Sequence, residues 1–237
     1  MSGNSAKAVF EVDGTKSGWI FVKWRGPQSP VAIYERASLE AMTSEFEQVS
    51  EIGIDIPLGL LTLPRAGGRM CDQVVRKEIG IRRSSVFSAP CSAILDKPTF
   101  RVACDSSRGL SDERVGISQQ TFALFSKIRE ARKFATSRRT PIVEVHPEFS
   151  FFLMNEGELE HKKSSSAGKF ERLGLLASAG FLEIERTFEA VPAKTRIDFL
   201  DACAAAWSAW RKGADGARRG FDSSQSDLLG IKIEIWG

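Results

Sequence analysis

The sequence predicts an α/β fold: a mixed five-stranded sheet in which three antiparallel strands precede an α-β-α-β-α run carrying insertions. Three observations carry that expectation. Three β-branched and aromatic runs lie at hairpin distance within residues 8–34. Two further apolar runs, 51–56 and 141–145, are set apart by stretches of helical periodicity. The 237 residues allow one well-buried core with insertions, and no internal repeat or linker composition divides them. The expected organisation is one domain over 1–237 with an irregular insertion at about 61–117.

Hydrophobic residues make up 42% and charged residues 27%, ordinary values for a globular chain. Net charge is only +3, so any affinity for nucleic acid must come from local patches. No apolar run reaches membrane-spanning length, and residues 1–7 lack a signal-peptide core, which argues against a membrane partner. Cys71, Cys91, Cys104 and Cys203 form no CxxC or Cys/His pattern. Reduced thiols in a cytoplasmic protein fit them better than a zinc site.

Ala8–Gly14 reads as the first strand, running up to an Asp-Gly turn, and Gly18–Trp24 as its hairpin partner. Gly26-Pro27 breaks the pattern, and Pro30–Tyr34 offers a third strand. Ser38 is placed to cap a helix running to about Val49. Glu51–Ile56 is a near-continuous apolar strand of the doubly buried kind, stopped by Pro57. Met70–Ile79 suits a helix ending at Gly80, Arg82–Pro90 a polar basic loop, and 91–117 shows no clear period. Phe122, Phe125, Ile128 and Ala131 predict a helix over Ser118–Ala135. Pro141–Val145 is the fifth strand, 147–156 a short helix or lid, and Ser164–Ser166 leads into a helix with Phe170, Leu173, Leu175 and Leu176. The alanine-rich segment Thr195–Lys212 favours helix intrinsically and can approach a sheet closely. Alternation in Ile231–Trp236 suggests a terminal strand. This order of elements is that of the ribonuclease H-like fold.

Asp13, Asp55 and Glu144 all fall at the carboxyl ends of predicted strands, where open α/β sheets bind ligands. Each acid alone is explained as a turn former or a solvated strand end. Together with Asp201 on the alanine-rich helix they describe a carboxylate cluster, which repels itself unless a cation neutralises it. Such a cluster can hold two Mg²⁺ or Mn²⁺ ions about 3.5–4 Å apart for phosphodiester cleavage. Asp198 shares Asp201's helix face, but Thr195-Arg196-Ile197-Asp198 reads as a capping box, which leaves Asp201 as the ligand. His146 is a further catalytic candidate able to orient or protonate a phosphate oxygen. Glu148 either joins the cluster or opens the next helix.

Basic residues gather at Arg65–Arg83, at Lys127–Arg139 and at Lys162-Lys163. Solvated helix faces explain much of this. Arg82-Arg83-Ser84-Ser85, with Lys127 and Lys162, is the phosphate-binding candidate set, because paired arginines beside hydroxyls suit a phosphate backbone. Trp19, Trp24, Trp207 and Trp210 are read as core rather than as base-stacking platforms.

These strings resemble the predicted ribonuclease H-like nucleases grouped as domain-of-unknown-function family 429. The resemblance runs through Val12-Asp13-Gly14 with Lys16 and Gly18-Trp19, then Ile54-Asp55-Ile56-Pro57 with Gly59-Leu60. It continues in Cys71-Asp72, Arg82-Arg83-Ser84-Ser85-Val86-Phe87, Gln119 with Lys127-Ile128, and Glu144-Val145-His146-Pro147-Glu148, and ends at Asp198, Asp201-Ala202 and Trp207. It implies a metal-dependent nuclease with acids 13, 55, 144 and 201 as its site. Two other functions share the fold. One is an actin-like or sugar-kinase-type phosphotransferase, whose first phosphate loop Asp13-Gly14-Thr15-Lys16 resembles. The other is a noncatalytic nucleic-acid-binding module. The phosphotransferase class needs two such domains and a second glycine-rich loop, which the sequence lacks.

Overall fold

In the computed structural model, residues 8–14, 18–42, 49–137, 141–214, 216–217 and 225–237 are described, with the backbone alone for 11–13, 42 and 49. The sheet is built outward from β1 (Ala8–Gly14). β1 pairs antiparallel with β2 (Trp19–Trp24), and β2 antiparallel with β3 (Ala32–Arg36). On its other side β1 runs parallel to β4 (Val49–Ile54), which runs parallel to β5 (Ile142–Glu144). The order β3-β2-β1-β4-β5 is the mixed ribonuclease H-like arrangement that the element order predicts. Between β3 and β4, Leu39–Met42 form a single 3-10 turn, and the remainder of the helix expected there, 43–48, lies outside the described residues.

The chain divides into two compact units. One comprises Met1–Asp55, Arg139–Arg218 and Trp236–Gly237; the other comprises Ile56–Arg138 and Arg219–Ile235. The larger part of the second unit, Ile56–Arg138, is therefore the connection between β4 and β5, and Arg219–Ile235 joins it from later in the sequence. It holds α1 (Met70–Glu78), α2 (Phe100–Gly109), α3 (Gln119–Ala123) and α4 (Phe125–Ser137). Several local expectations change here. Gly80, at φ 51°, ends α1 as expected, but Gly80–Ser85 continue as a 3-10 helix where a loop was read. The helix expected over Ser118–Ala135 breaks at Leu124 into α3 and α4. Residues 91–117 are not irregular throughout, because Thr99 caps α2 by accepting the Val102 N–H. In the same unit Asp227 accepts the N–H groups of Leu60, Leu229 and Ile231 and pairs with Arg132 at 2.5 Å, which pins the returning segment. That segment forms isolated bridges and no terminal strand.

The first unit places α5 (Pro147–Met154), α6 (Ser166–Ser178), α7 (Ile184–Ala190) and α8 (Arg196–Gly213) with the sheet. α8 packs on β1, β2 and β4. Ala202, Ala205, Ala206 and Ala209 have no exposed surface, and small side chains let the helix axis come close. Ser150 of α5 and Ser208 of α8 share a buried hydroxyl pair at 2.7 Å. Trp24 stacks on Phe181, with ring centroids 4.0 Å apart, in the core below the helices. Trp19 and Trp24 are fully buried, and Trp207 and Trp210 are partly buried against the same core. Among the described residues no helix is long and apolar enough to cross a membrane.

Gly53 of β4 is a close point of contact between the sheet and α8. A Cβ there would stand 3.2 Å from both the Ala205 carbonyl oxygen and the Ala209 Cβ. Gly53→Val should cost roughly 1–3 kcal/mol by overpacking, read as a lower urea midpoint. An unchanged midpoint would show that α8 can move off the sheet freely.

Candidate metal and phosphate site

The parallel register of β1 and β4 pairs Val12 with Ile54. Asp13 and Asp55 are therefore the next residues of two neighbouring strands, side by side at the carboxyl edge of the sheet. The Asp13 side chain lies outside the described residues; Asp55 is half-buried. Glu51 and Gly53 both meet α8, through Lys212 at 2.6 Å and through Ala205, so strand alternation directs Asp55 toward that helix as well.

Asp201 projects from α8 and is 7% exposed. Its Oδ2 accepts a hydrogen bond from the Lys163 ammonium at 2.9 Å. Its Oδ1 is buried and finds no hydrogen-bond partner among the described residues. Burial pushes the Asp201 carboxyl above its ordinary range, opposed by the charge and hydrogen bond of Lys163. Glu148 pushes it further up and Arg172 pulls it down.

Lys163 answers to several acids at once. Burial draws its ammonium down, but the charges of Asp201, Glu148 and Asp55 outweigh this and hold it above the usual lysine value. Asp198 also feels it: burial raises that carboxyl and Lys163 counters. One half-exposed lysine thus stands within electrostatic reach of Asp55, Glu148, Asp198 and Asp201.

Glu148 enters this group already neutralised. Pro147 opens α5 at its first turn, which places Glu148 where an acid also meets the helix dipole. Both its carboxylate oxygens accept from one Arg172 nitrogen, at 2.8 and 3.0 Å, and both residues are buried. A second Arg172 nitrogen donates to the Gly168 carbonyl.

The segment carrying Lys163 is held from both sides. Ser165 caps α6 through the Gly168 N–H, and its hydroxyl donates to the Lys162 carbonyl at 2.7 Å. Glu171 accepts the N–H groups of Glu160 and His161. A Cβ at Gly168 would fall 2.0 Å from the Lys162 carbonyl oxygen, so this approach requires glycine.

Of the sequence-derived acids, Asp55, Glu148, Asp198 and Asp201 stand within electrostatic reach of Lys163, and Glu144 is set apart. Val143 and Val145 pack with Ala205 of α8, so alternation turns the buried Glu144 to the opposite face of the sheet. Asp198 does not form the expected capping box: Thr195 makes no side-chain cap, and its hydroxyl donates to the Pro192 carbonyl. His146 is the N-cap of α5, with its ring Nδ1 accepting the Phe149 N–H at 3.3 Å. Arg82, Arg83, Ser84, Ser85 and Lys127 belong to the second unit. There Arg83 and Ser84 are exposed, Arg82 and Lys127 half-buried, and the Ser85 hydroxyl donates to the Arg82 carbonyl. Lys162, in the first unit, is exposed.

Among the described residues no three His, Cys, Asp or Glu side chains stand close enough to hold a metal ion as they are. The donor set is nonetheless all oxygen, and the buried Asp201 Oδ1 matches what a hard cation takes. Sequence reasoning did not single out Lys163 or Arg172. The Lys162-Lys163 doublet ahead of the serine run was visible, but which lysine reaches Asp201 was not.

The model of a family described as "Protein of unknown function (DUF429)" matches residues 12–225. No curated protein and no solved structure matches the chain.

Asp201→Asn removes a charge that burial disfavours, while the half-exposed Lys163 keeps access to water. A carboxyl raised in the folded state binds protons more readily there than in the unfolded chain, so its ionisation lowers stability at neutral pH. The variant should therefore melt no lower than the parent at pH 7, and the difference should shrink as pH falls toward the ordinary carboxyl range. Thermal melts from pH 7 to 4 check this. A large loss at pH 7 would make Asp201 a structural residue.

Proposed function

The chain belongs to the DUF429 family, whose description assigns no function, and from its own geometry we propose that it is a divalent-metal-dependent hydrolase of nucleic-acid phosphodiester bonds. The observation that carries this reading is the buried Asp201 Oδ1, without a hydrogen-bond partner among the described residues, bonded through its other oxygen to a lysine within electrostatic reach of Asp55, Glu148 and Asp198. A buried carboxylate oxygen without a hydrogen bond among the described residues, beside further acids, favours Mg²⁺ or Mn²⁺. Asp201 and Asp55 would hold the ion, with Asp13 on the neighbouring strand as a third donor. When bound there, such an ion supplies Lewis acidity and a water acidic enough to attack phosphorus.

The remaining roles follow from the chain's own groups. Arg172 fixes Glu148 at both oxygens, so Glu148 shapes the field at the site without moving. Asp198, half-buried with its carboxyl raised, is suited to deliver a proton to the departing oxygen. Nucleic acid as substrate is supported by the exposed Arg83 and Ser84 and by Lys162, groups that suit phosphate contacts. A cytoplasmic setting accords with four buried cysteines that form no disulfide among the described residues.

Labelled single strands, duplexes, hybrids and junctions, incubated with Mg²⁺ or Mn²⁺ and with chelator, provide the test. Cleavage should require the metal and fall about a hundredfold in Asp201→Asn and in Asp55→Asn. Metal-dependent ATP hydrolysis without cleavage of any nucleic acid would overturn the proposal in favour of phosphoryl transfer.

Replacing Arg82 and Arg83 together by Ala should weaken binding and flatten its salt dependence, by about 0.9 of a log–log unit for each duplex phosphate that the pair neutralises. An unchanged slope would return the pair to an ordinary solvated surface.

A further inference from the structure

Two cations serve the acid group, and they are bound in opposite ways. Arg172 is fully buried, and two of its nitrogens are committed to Glu148 and to the Gly168 carbonyl. Lys163 makes one hydrogen bond, to Asp201 Oδ2, and its side chain is 43% exposed. Withdrawing Arg172 would strand a buried carboxylate. Withdrawing Lys163 needs only rotation about its own side-chain bonds into water, with little desolvation to undo.

The position of Lys163 is nevertheless built. The Ser165 hydroxyl on the Lys162 carbonyl, the Glu171 carboxylate on two backbone N–H groups, and the glycine-only contact at Gly168 all fix the backbone that delivers it. A rigid backbone thus presents a mobile monovalent cation to Asp201, with Asp55 and Glu148 also in its field. The lysine occupies one oxygen of Asp201 and leaves the other unbound.

We infer that Lys163 is a tethered counter-cation that occupies the carboxylate site in the metal-free protein and is displaced from Asp201 when a divalent ion binds. This rests on the metal-site reading above and adds to it how the site is regulated. The lysine stabilises the empty site and competes with the ion, so it sets the metal concentration at which the site fills. A divalent ion delivers twice the charge and can engage Asp201 through the oxygen that Lys163 does not use. The displaced ammonium then swings outward into water.

The test is a Mn²⁺ titration of the full chain, followed by calorimetry and by the shift in melting temperature, in the parent, Lys163→Met and Lys163→Arg. Neither readout depends on catalysis. Lys163→Met should bind Mn²⁺ roughly tenfold more tightly than the parent, since an opposing charge has been removed at close range. It should also melt lower than the parent without metal and recover more on adding it. Lys163→Arg keeps the charge and should bind no more tightly than the parent, which separates competition from a general loosening of the site. If the parent binds Mn²⁺ and Lys163→Met binds it equally or less well, the inference is overturned while the metal site stands. If neither the parent nor any variant binds Mn²⁺, the metal-site reading itself is overturned, and this inference falls with it.

Discussion

The close packing of the alanine face of α8 on the sheet is the constraint on which the site depends. With Ala202, Ala205, Ala206 and Ala209 fully buried and Gly53 facing them, the helix lies near enough to seal Asp201 from water. Larger residues at these positions would stand the helix off and hydrate the carboxylate. Its raised proton affinity, its open oxygen and its need for a cation all follow from that approach. Packing in this case sets the electrostatics, because the same small residues that allow contact also exclude solvent.

Within that sealed region the protein treats two acids differently. Glu148 is closed by Arg172 at both oxygens, with each partner buried, an arrangement that costs desolvation and repays it only when fully satisfied. Asp201 is answered on one oxygen by a lysine that remains half in water. The first pair is a fixed piece of architecture joining α5 to α6. The second has slack, and slack beside a buried carboxylate is where a ligand can enter. The chemistry we propose uses the second pair and relies on the first to hold its surroundings still.

The sheet was legible because its strands carry the strongest local signals, and the five strands stand close to where the sequence places them. Elements without a start signal were not. α7 begins after Glu183 in a left-handed conformation with no side-chain cap, and the sequence around it offered no boundary. α2 did carry a signal in the spacing of the buried Ala103, Cys104 and Ser107, but Pro98 and the surrounding serines and glycines obscured it. Ile233 and Ile235 are buried as their alternation suggests, yet the segment only bridges its neighbours. For the site, position at a strand end was readable while facing was not. Asp55 and Asp201 both lie in the field of Lys163, whereas one step of alternation sends Glu144 to the other face. Lys163 was hidden for a different reason: its partner lies 38 residues away, and the doublet itself does not distinguish it from Lys162.

The central claim is that the buried carboxylate of Asp201 is the seat of a divalent ion. Anomalous diffraction from crystals soaked in Mn²⁺ tests it most directly. The account predicts a manganese peak at coordination distance from Asp201 Oδ1, with Asp55 as a further ligand and the Lys163 ammonium withdrawn from its present contact. A fully occupied manganese elsewhere on the chain, with Lys163 still bonded to Asp201, would contradict it.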